Sequence, residues 1–194
     1  MTSTTFRVES DTIERLKAIS DRENVSLNVV VGRILRQAAD FAEVAERLGI
    51  VGFARSELLQ VMEYLTDEEA EKWGRHAGGT SGSFREFVLG YFGRDNLDGF
   101  FKTVELAEQY ARNFKISRSV DRDGSISLIL HHSWGRKWSL YYYGALDERL
   151  KALTESGHVK SHLVKYTDNQ AIVTIMPENS SKIRTTDIMP STSK

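Results

Sequence analysis

Thr4-Thr5-Phe6-Arg7-Val8-Glu9 alternates polar and apolar side chains, and the chain then changes period into Ser10-Asp11-Thr12-Ile13-Glu14-Arg15-Leu16. The first stretch has the two-residue repeat of a strand; the second has the repeat of a helix, with Ile13, Leu16 and Ile19 at three-residue spacing. Asp11, followed three residues later by Glu14, reads as the N-cap of that helix with a capping box. The helix is expected to run to about Glu23, where Asn24 tolerates the left-handed conformation that ends helices. Ser26 caps a second helix, whose apolar stripe is Val30, Val31, Ile34, Leu35 and Ala38, continuing through Phe41, Val44 and Ala45 toward Gly49.

A six-residue strand that leads straight into two helices has no sheet to join inside its own module, and its edges would stay unpaired. Pairing with the same strand of a second copy removes the problem and gives an antiparallel ribbon over four helices, related by a two-fold axis. Phe6 and Val8 then face the shared core, while Ser3, Thr5 and Arg7 project from the other side. That side carries only hydrogen-bonding groups, and a two-stranded ribbon fits the DNA major groove, where Arg addresses guanine edges. Ser26-Leu27-Asn28 opens the second helix with free N–H groups suited to a phosphate.

With Phe6-x-Val8, Ile13, Leu16, Ile19, Val25-Ser26, Val30 and Ile34 in place, the stretch from about Thr4 to Ala42 resembles the ribbon-helix-helix family, the fold of the Met and Arc repressors. The resemblance implies a homodimer on double-stranded DNA. It implies that Ser3, Thr5 and Arg7 contact bases and that Ser26 and Asn28 contact the phosphate backbone. Two positions depart from the family pattern: Glu9 directly follows Val8, and Asn24 stands where many members have Gly. Residues 1–47 hold seven basic and eight acidic side chains, a net of −1, so affinity for DNA has to come from where the charges sit rather than from their sum.

The whole chain of 194 residues is 40% hydrophobic and 27% charged with a net charge of −1, the balance of a globular protein with a real core. It has no cysteine, which excludes disulfides and thiolate chemistry and would leave any metal to His and carboxylate ligands. A polar N-terminus without an apolar core predicts no secretory leader, and no run of about 18 apolar residues predicts no membrane span; a cytoplasmic location is the expectation.

Beyond the second helix the pattern stays helical. Ser56 precedes Leu58, Leu59, Met62 and Leu65; Thr66 with Glu69 forms a capping box; Ser83 with Glu86 opens a helix carrying Phe84, Phe87, Val88, Tyr91 and Phe92. Gly78-Gly79-Thr80-Ser81-Gly82 reads as a hinge. A helix from about Asp98 carries Phe101 and Val104, with Tyr110 further on. From Lys115 strands alternate with turns: 115–120 and 125–133 around Asp121-Arg122-Asp123-Gly124, then a helix from about Ser139 to Ser156, then 158–166 and 170–176 around Thr167-Asp168-Asn169. The expected architecture is α+β. It divides into an N-terminal ribbon-helix-helix dimerisation module (1–47), a helical connector (48–98), an antiparallel sheet with packed helices (99–177) serving sensing or assembly, and a flexible tail (178–194).

The densest group of chemically capable side chains is His131-His132-Ser133-Trp134-Gly135-Arg136-Lys137-Trp138-Ser139, followed by Tyr141-Tyr142-Tyr143. In the preceding strand His132 shares a face with Ile126, Leu128 and Leu130, so it points toward the core. Ser139 reads as the N-cap of the next helix. Two readings stand side by side: a ligand pocket of His132, Trp134, Arg136, Lys137 and Trp138 for an anionic or aromatic effector, or a core histidine at a strand end with both cations solvated. His132-x-x-Gly135-x-Lys137-Trp138-Ser139 loosely resembles a run in C-terminal domains of archaeal ribbon-helix-helix proteins, a resemblance that implies no function. His158 and His162 lie on one strand face, separated by about 13 Å, which is too far for one metal ion, although His131 on another strand could approach one of them. The glycine loop lacks the Gly-Lys-Ser/Thr ending of a phosphate loop, and no nucleophile elbow is present. Residues 101–166 carry eleven basic and seven acidic side chains, a local net of +4.

These readings point to a DNA-binding transcriptional regulator that acts as a homodimer, with a small-molecule effector or assembly role for its C-terminal part, and with no cofactor, no metal and no catalytic residues. An antitoxin-like partner-binding protein and a dimeric enzyme of unknown chemistry are the alternatives.

Overall fold

The computed structural model describes residues 5–47, 49–79 and 82–178, and the protein is a mixed α+β chain that divides into two compact units after Arg47. Ser3 and the tail from residue 179 lie outside the described residues.

In the N-terminal unit, residues 5–9 belong to no sheet, with Glu9 in extended conformation just before α1 (Ser10–Glu23). The helix begins one residue before the position that the sequence suggested for its cap. Glu9 is the N-cap without a side-chain cap bond; Asp11 instead accepts from the Thr12 N–H at 2.7 Å and pairs with Arg15 at 3.2 Å, so its carboxylate serves the first turn rather than starting it. Asn24 takes φ +52 and ends the helix, and the Ser20 hydroxyl donates to the Val25 carbonyl at 2.6 Å to fix the turn. Ser26 caps α2 (Leu27–Gln37), accepting from the Val29 N–H at 3.4 Å. A π-helical turn (Ala38–Ala42) carries α2 into the short α3 (Glu43–Arg47). Arg33 of α2 pairs with Glu23 at the end of α1 at 2.8 Å. Val30, Val44 and Ala45 are buried, yet Phe6, Val8, Val29, Ile34 and Leu35 remain exposed.

The second unit is built on one long helix. α4 (Arg55–Glu63) starts at Ala54, whose N–H donates to Glu57, so Ser56 lies inside the helix. α5 (Asp67–Gly78) opens with the expected Thr66–Glu69 box, the two backbone N–H groups donating reciprocally to Glu69 at 2.7 Å and to Thr66 at 3.2 Å. Gly82 rather than Ser83 caps α6 (Ser83–Phe92), and Asn96 caps α7 (Leu97–Leu106), which continues through a π turn (Ala107–Ala111). The hairpin β1 (Lys115–Val120) and β2 (Ile126–His131) turns at Gly124, whose φ of +81 needs glycine. α8 (Arg136–Glu155) then crosses to β3 (Val159–Thr167) and β4 (Gln170–Pro177).

All neighbours in the sheet are antiparallel and the order is β1-β2-β4-β3, so β2 and β3 run the same way with β4 between them. Ile126, Leu128 and Leu130 pair with Ile175, Val173 and Ala171 and are buried with them, while the intervening residues face outward. Leu140, Leu146, Leu150 and Leu153 of α8 close this core. Met62, Ala70, Phe100 and Phe101 belong to the same core, so the helices between residues 55 and 106 pack with the sheet's domain.

The second side of α8 meets α5 at backbone distance. A Cβ at Gly74 would overlap the Tyr141 carbonyl, one at Gly78 the Ala145 carbonyl, and one at Gly144 the Glu71 carbonyl. Gly78 is therefore the last helical residue of a tight crossing, not the start of a hinge. Arg75 clamps the crossing, bonded to Glu71 and Asp147 at 2.9 and 2.8 Å. Arg149, 1% exposed, pairs with Asp95, which also receives Arg85 at 2.9 Å and so ties the α6–α7 corner to α8.

Candidate functional site

The N-terminal candidates sit on the unpaired segment and at the start of α2. Thr5 and Arg7 are exposed, and so are Phe6 (62%) and Val8 (48%) on the alternate positions. Asn28 is exposed in the first turn of α2, where there is no acidic side chain to compete for an anion. Ser26 already gives its hydroxyl oxygen to the Val29 N–H, which fixes the start of α2.

The C-terminal candidates follow β2 directly. His132 lies just past the strand end, on the face of Leu130. Its Nδ1 accepts from the Trp134 N–H at 3.3 Å, which leaves the proton of the neutral ring on Nε2, donating to the Ser139 hydroxyl at 3.0 Å. Burial pulls its pKa down from 6.5 to about 4, so the ring is neutral at physiological pH. Ser139 is thus not the cap of α8. The helix begins three residues earlier, with Gly135 as the N-cap at φ +83, and the fully buried Ser139 hydroxyl is committed to His132.

His132, Trp134 and Trp138 come together. Trp134 stands edge-on to Trp138 at 4.9 Å, and His132 and Trp138 both meet the Tyr142 ring, at 5.3 and 5.9 Å. Arg136 and Lys137 are drawn elsewhere. Arg136 donates to Asp67 at 2.9 Å, with Asp168 and Tyr166 close by, and Lys137 donates to the Glu63 carbonyl at 3.0 Å. Those cations pin the start of α8 to α4 and α5.

Three further residues contribute, of which Trp73 and Arg55 are not singled out by the sequence. Trp73 of α5 meets Trp138 at 6.2 Å and Tyr141 at 5.2 Å. Tyr142, 6% exposed, lies one helical turn after Trp138. Arg55 donates to the Ser133 carbonyl and hydroxyl at 2.8 Å and stacks 5.0 Å over Trp134. The Gly74-x-x-x-Gly78 spacing was the available signal for Trp73, because a helix that presents glycines on one face brings their neighbours close to its partner. No local signal links Arg55 to a loop so far along the chain.

The remaining histidines are held apart. His131 bonds with Ser117 and Gln170, each at 3.2 Å, and His162 bonds with Thr154 at 3.1 Å and lies 3.4 Å from Asp147. Among the described residues no group of three or more histidines and carboxylates is placed to hold a metal ion, and no helix is long and apolar enough to cross a membrane. Comparisons with family models, with curated proteins and with solved structures find no match to this chain.

Proposed function

We propose that the protein is a site-specific DNA-binding regulator that works as a homodimer, with residues 5–9 forming an intermolecular ribbon and the C-terminal unit serving as a sensor. The observation that carries this reading is the pair Phe6 and Val8, alternating along a segment that belongs to no sheet among the described residues and left exposed, as are Val29, Ile34 and Leu35 of α2. An isolated module with so few buried apolar residues gains little from folding alone, and a second copy would cover that surface. Thr5 and Arg7 then face the groove, and the capped, acid-free start of α2 faces a phosphate. Ser3 extends the same face by sequence.

The test is a titration of a selected duplex and a scrambled duplex at one salt concentration. Arg7→Ala should lose about 1–3 kcal/mol on the selected duplex for each base contact removed, and much less on the scrambled one. Asn28→Ala should weaken both alike, because phosphate contacts position without reading sequence. If Arg7→Ala changes neither affinity, the N-terminal unit serves dimerisation only.

A further inference from the structure

Trp138 and Tyr142 lie one turn apart on α8, each 6% exposed, and both carry a polar group that has no hydrogen-bond partner among the described residues: the indole Nε1–H and the phenol hydroxyl. Buried donors are nearly always paired, because leaving one unpaired forfeits its bond to water without return. Here two occur side by side, and their rings meet in a cluster with His132, Trp73, Trp134 and Tyr141. His132 cannot supply the missing acceptor, since its Nδ1 is taken by the Trp134 N–H and its Nε2–H donates to Ser139.

Trp134 covers the Trp138 side of the cluster and Phe114 the Tyr142 side, and neither is carried by a helix or a strand. Trp134 belongs to the segment between β2 and α8, which ends at Gly135 with φ +83. Arg55 holds that segment from outside through Ser133 and the Trp134 face. Rotation of Trp134 away from Trp138 would open the Trp138 side of the cluster to an incoming acceptor, with the Tyr142 ring alongside.

We propose that this cluster binds a neutral, planar small molecule bearing a carbonyl acceptor, which takes the Trp138 Nε1–H and the Tyr142 hydroxyl together. The proposal rests on the sensor reading above and names its ligand class. A carboxylate is disfavoured: the nearby cations Arg136 and Lys137 are bonded to Asp67 and Glu63, Arg55 is held on the outer side by Ser133 and the Trp134 face, and an anion between Trp138 and Tyr142 would meet neutral donors. Flat walls favour an aromatic or conjugated ring on such a molecule.

Benzamide is the probe, with benzoate as its anionic counterpart. The chain has three tryptophans, Trp73, Trp134 and Trp138, and all of them lie in the cluster, so the indole N–H region of a 15N spectrum of the full chain reports on this site alone. Benzamide should shift the Trp138 signal downfield, benzoate at neutral pH should not, and Tyr142→Phe should weaken benzamide binding by about tenfold through loss of one bond. Because an unpaired hydroxyl is removed, Tyr142→Phe should keep or raise the Tm. Three outcomes would overturn the proposal: no indole signal moves at millimolar benzamide, benzoate binds as well as benzamide, or Tyr142→Phe lowers the Tm, which would mean that the hydroxyl is already bonded. None of these touches the Arg7 titration, so the DNA reading and the ligand reading fail separately.

Discussion

Along β2, Ile126, Leu128 and Leu130 alternate with outward residues, and each apolar side chain is covered by α8 and by its neighbour on β4; along residues 5–9, Phe6 and Val8 alternate in the same way and neither is covered. The sequence pattern is alike, so the difference lies in what the chain supplies opposite it. The C-terminal unit contains four strands and a helix to close its own sheet, whereas the described part of the N-terminal unit contains one segment that joins no sheet and the helices α1, α2 and α3. On the reading proposed above, a second copy supplies what the described residues of the chain do not place against this stretch.

The largest effect that can break this comparison is a pair of prolines. Thr5→Pro and Arg7→Pro together remove backbone donors that an intermolecular ribbon requires. Light scattering should report a dimer for the wild type and a monomer for the variant, with DNA binding lost. The thermal transition of the C-terminal unit should be unchanged, because its ladder lies within one chain. A wild type that is monomeric at micromolar concentration would remove the basis of the contrast.

A smaller effect tests the self-sufficiency of the second unit. Arg149 is buried with Asp95 as its counter-charge, and Arg85 shares the same carboxylate. Asp95→Ala leaves a buried guanidinium uncompensated and should cost about 3–5 kcal/mol in chemical denaturation. Adding Arg149→Met should recover most of that loss, since an apolar side chain of similar length removes the stranded charge. If the double variant is no more stable than Asp95→Ala, the pair does not hold the α6–α7 corner as described. Neither change should alter the oligomeric state.

What could be read from sequence was local. Asn24, the Thr66–Glu69 box and the Asp121–Gly124 turn depend on residues within a few positions of one another, and each takes the form its chemistry requires. Asp11, Ser83 and Ser139 also looked like caps, and each instead lies inside its helix; Ser139 does so because Gly135 begins the helix and His132 claims the hydroxyl. A residue type that caps well is indistinguishable, by type alone, from one that a distant partner has recruited. Gly78 was misread for a related reason: flexibility is its property in isolation, and close approach to Ala145 is its property beside α8. At the candidate site His132, Trp134 and Trp138 were legible because a strand end and one helical turn bring them together. Trp73 and Arg55 were not, because α5 and α4 reach the cluster only through the tertiary fold.

The smallest expected effect concerns pH and separates the two units again. His132 has its pKa lowered from 6.5 to about 4 by burial, so between those values the unfolded chain takes up a proton that the folded chain refuses. A base with a depressed folded pKa contributes its full stability above the unfolded value and loses it as pH falls toward the folded one. The Tm of the C-terminal unit should therefore decline from about pH 6.5 down to about pH 4. Carboxylates contribute to acid loss as well: Asp123 is held below its ordinary value by the Ser125 backbone and hydroxyl, but that loss begins only near the carboxylate range. The difference between wild type and His132→Gln isolates the histidine, because Gln retains an acceptor and a donor without titrating. The difference curve should be flat above pH 6.5 and bend below it, while duplex binding through the N-terminal unit keeps the same pH profile in both proteins. A difference curve without that bend would mean that the folded His132 ring accepts its proton as readily as the unfolded one, and the neutral tautomer bonded to Trp134 and Ser139 would have to be abandoned.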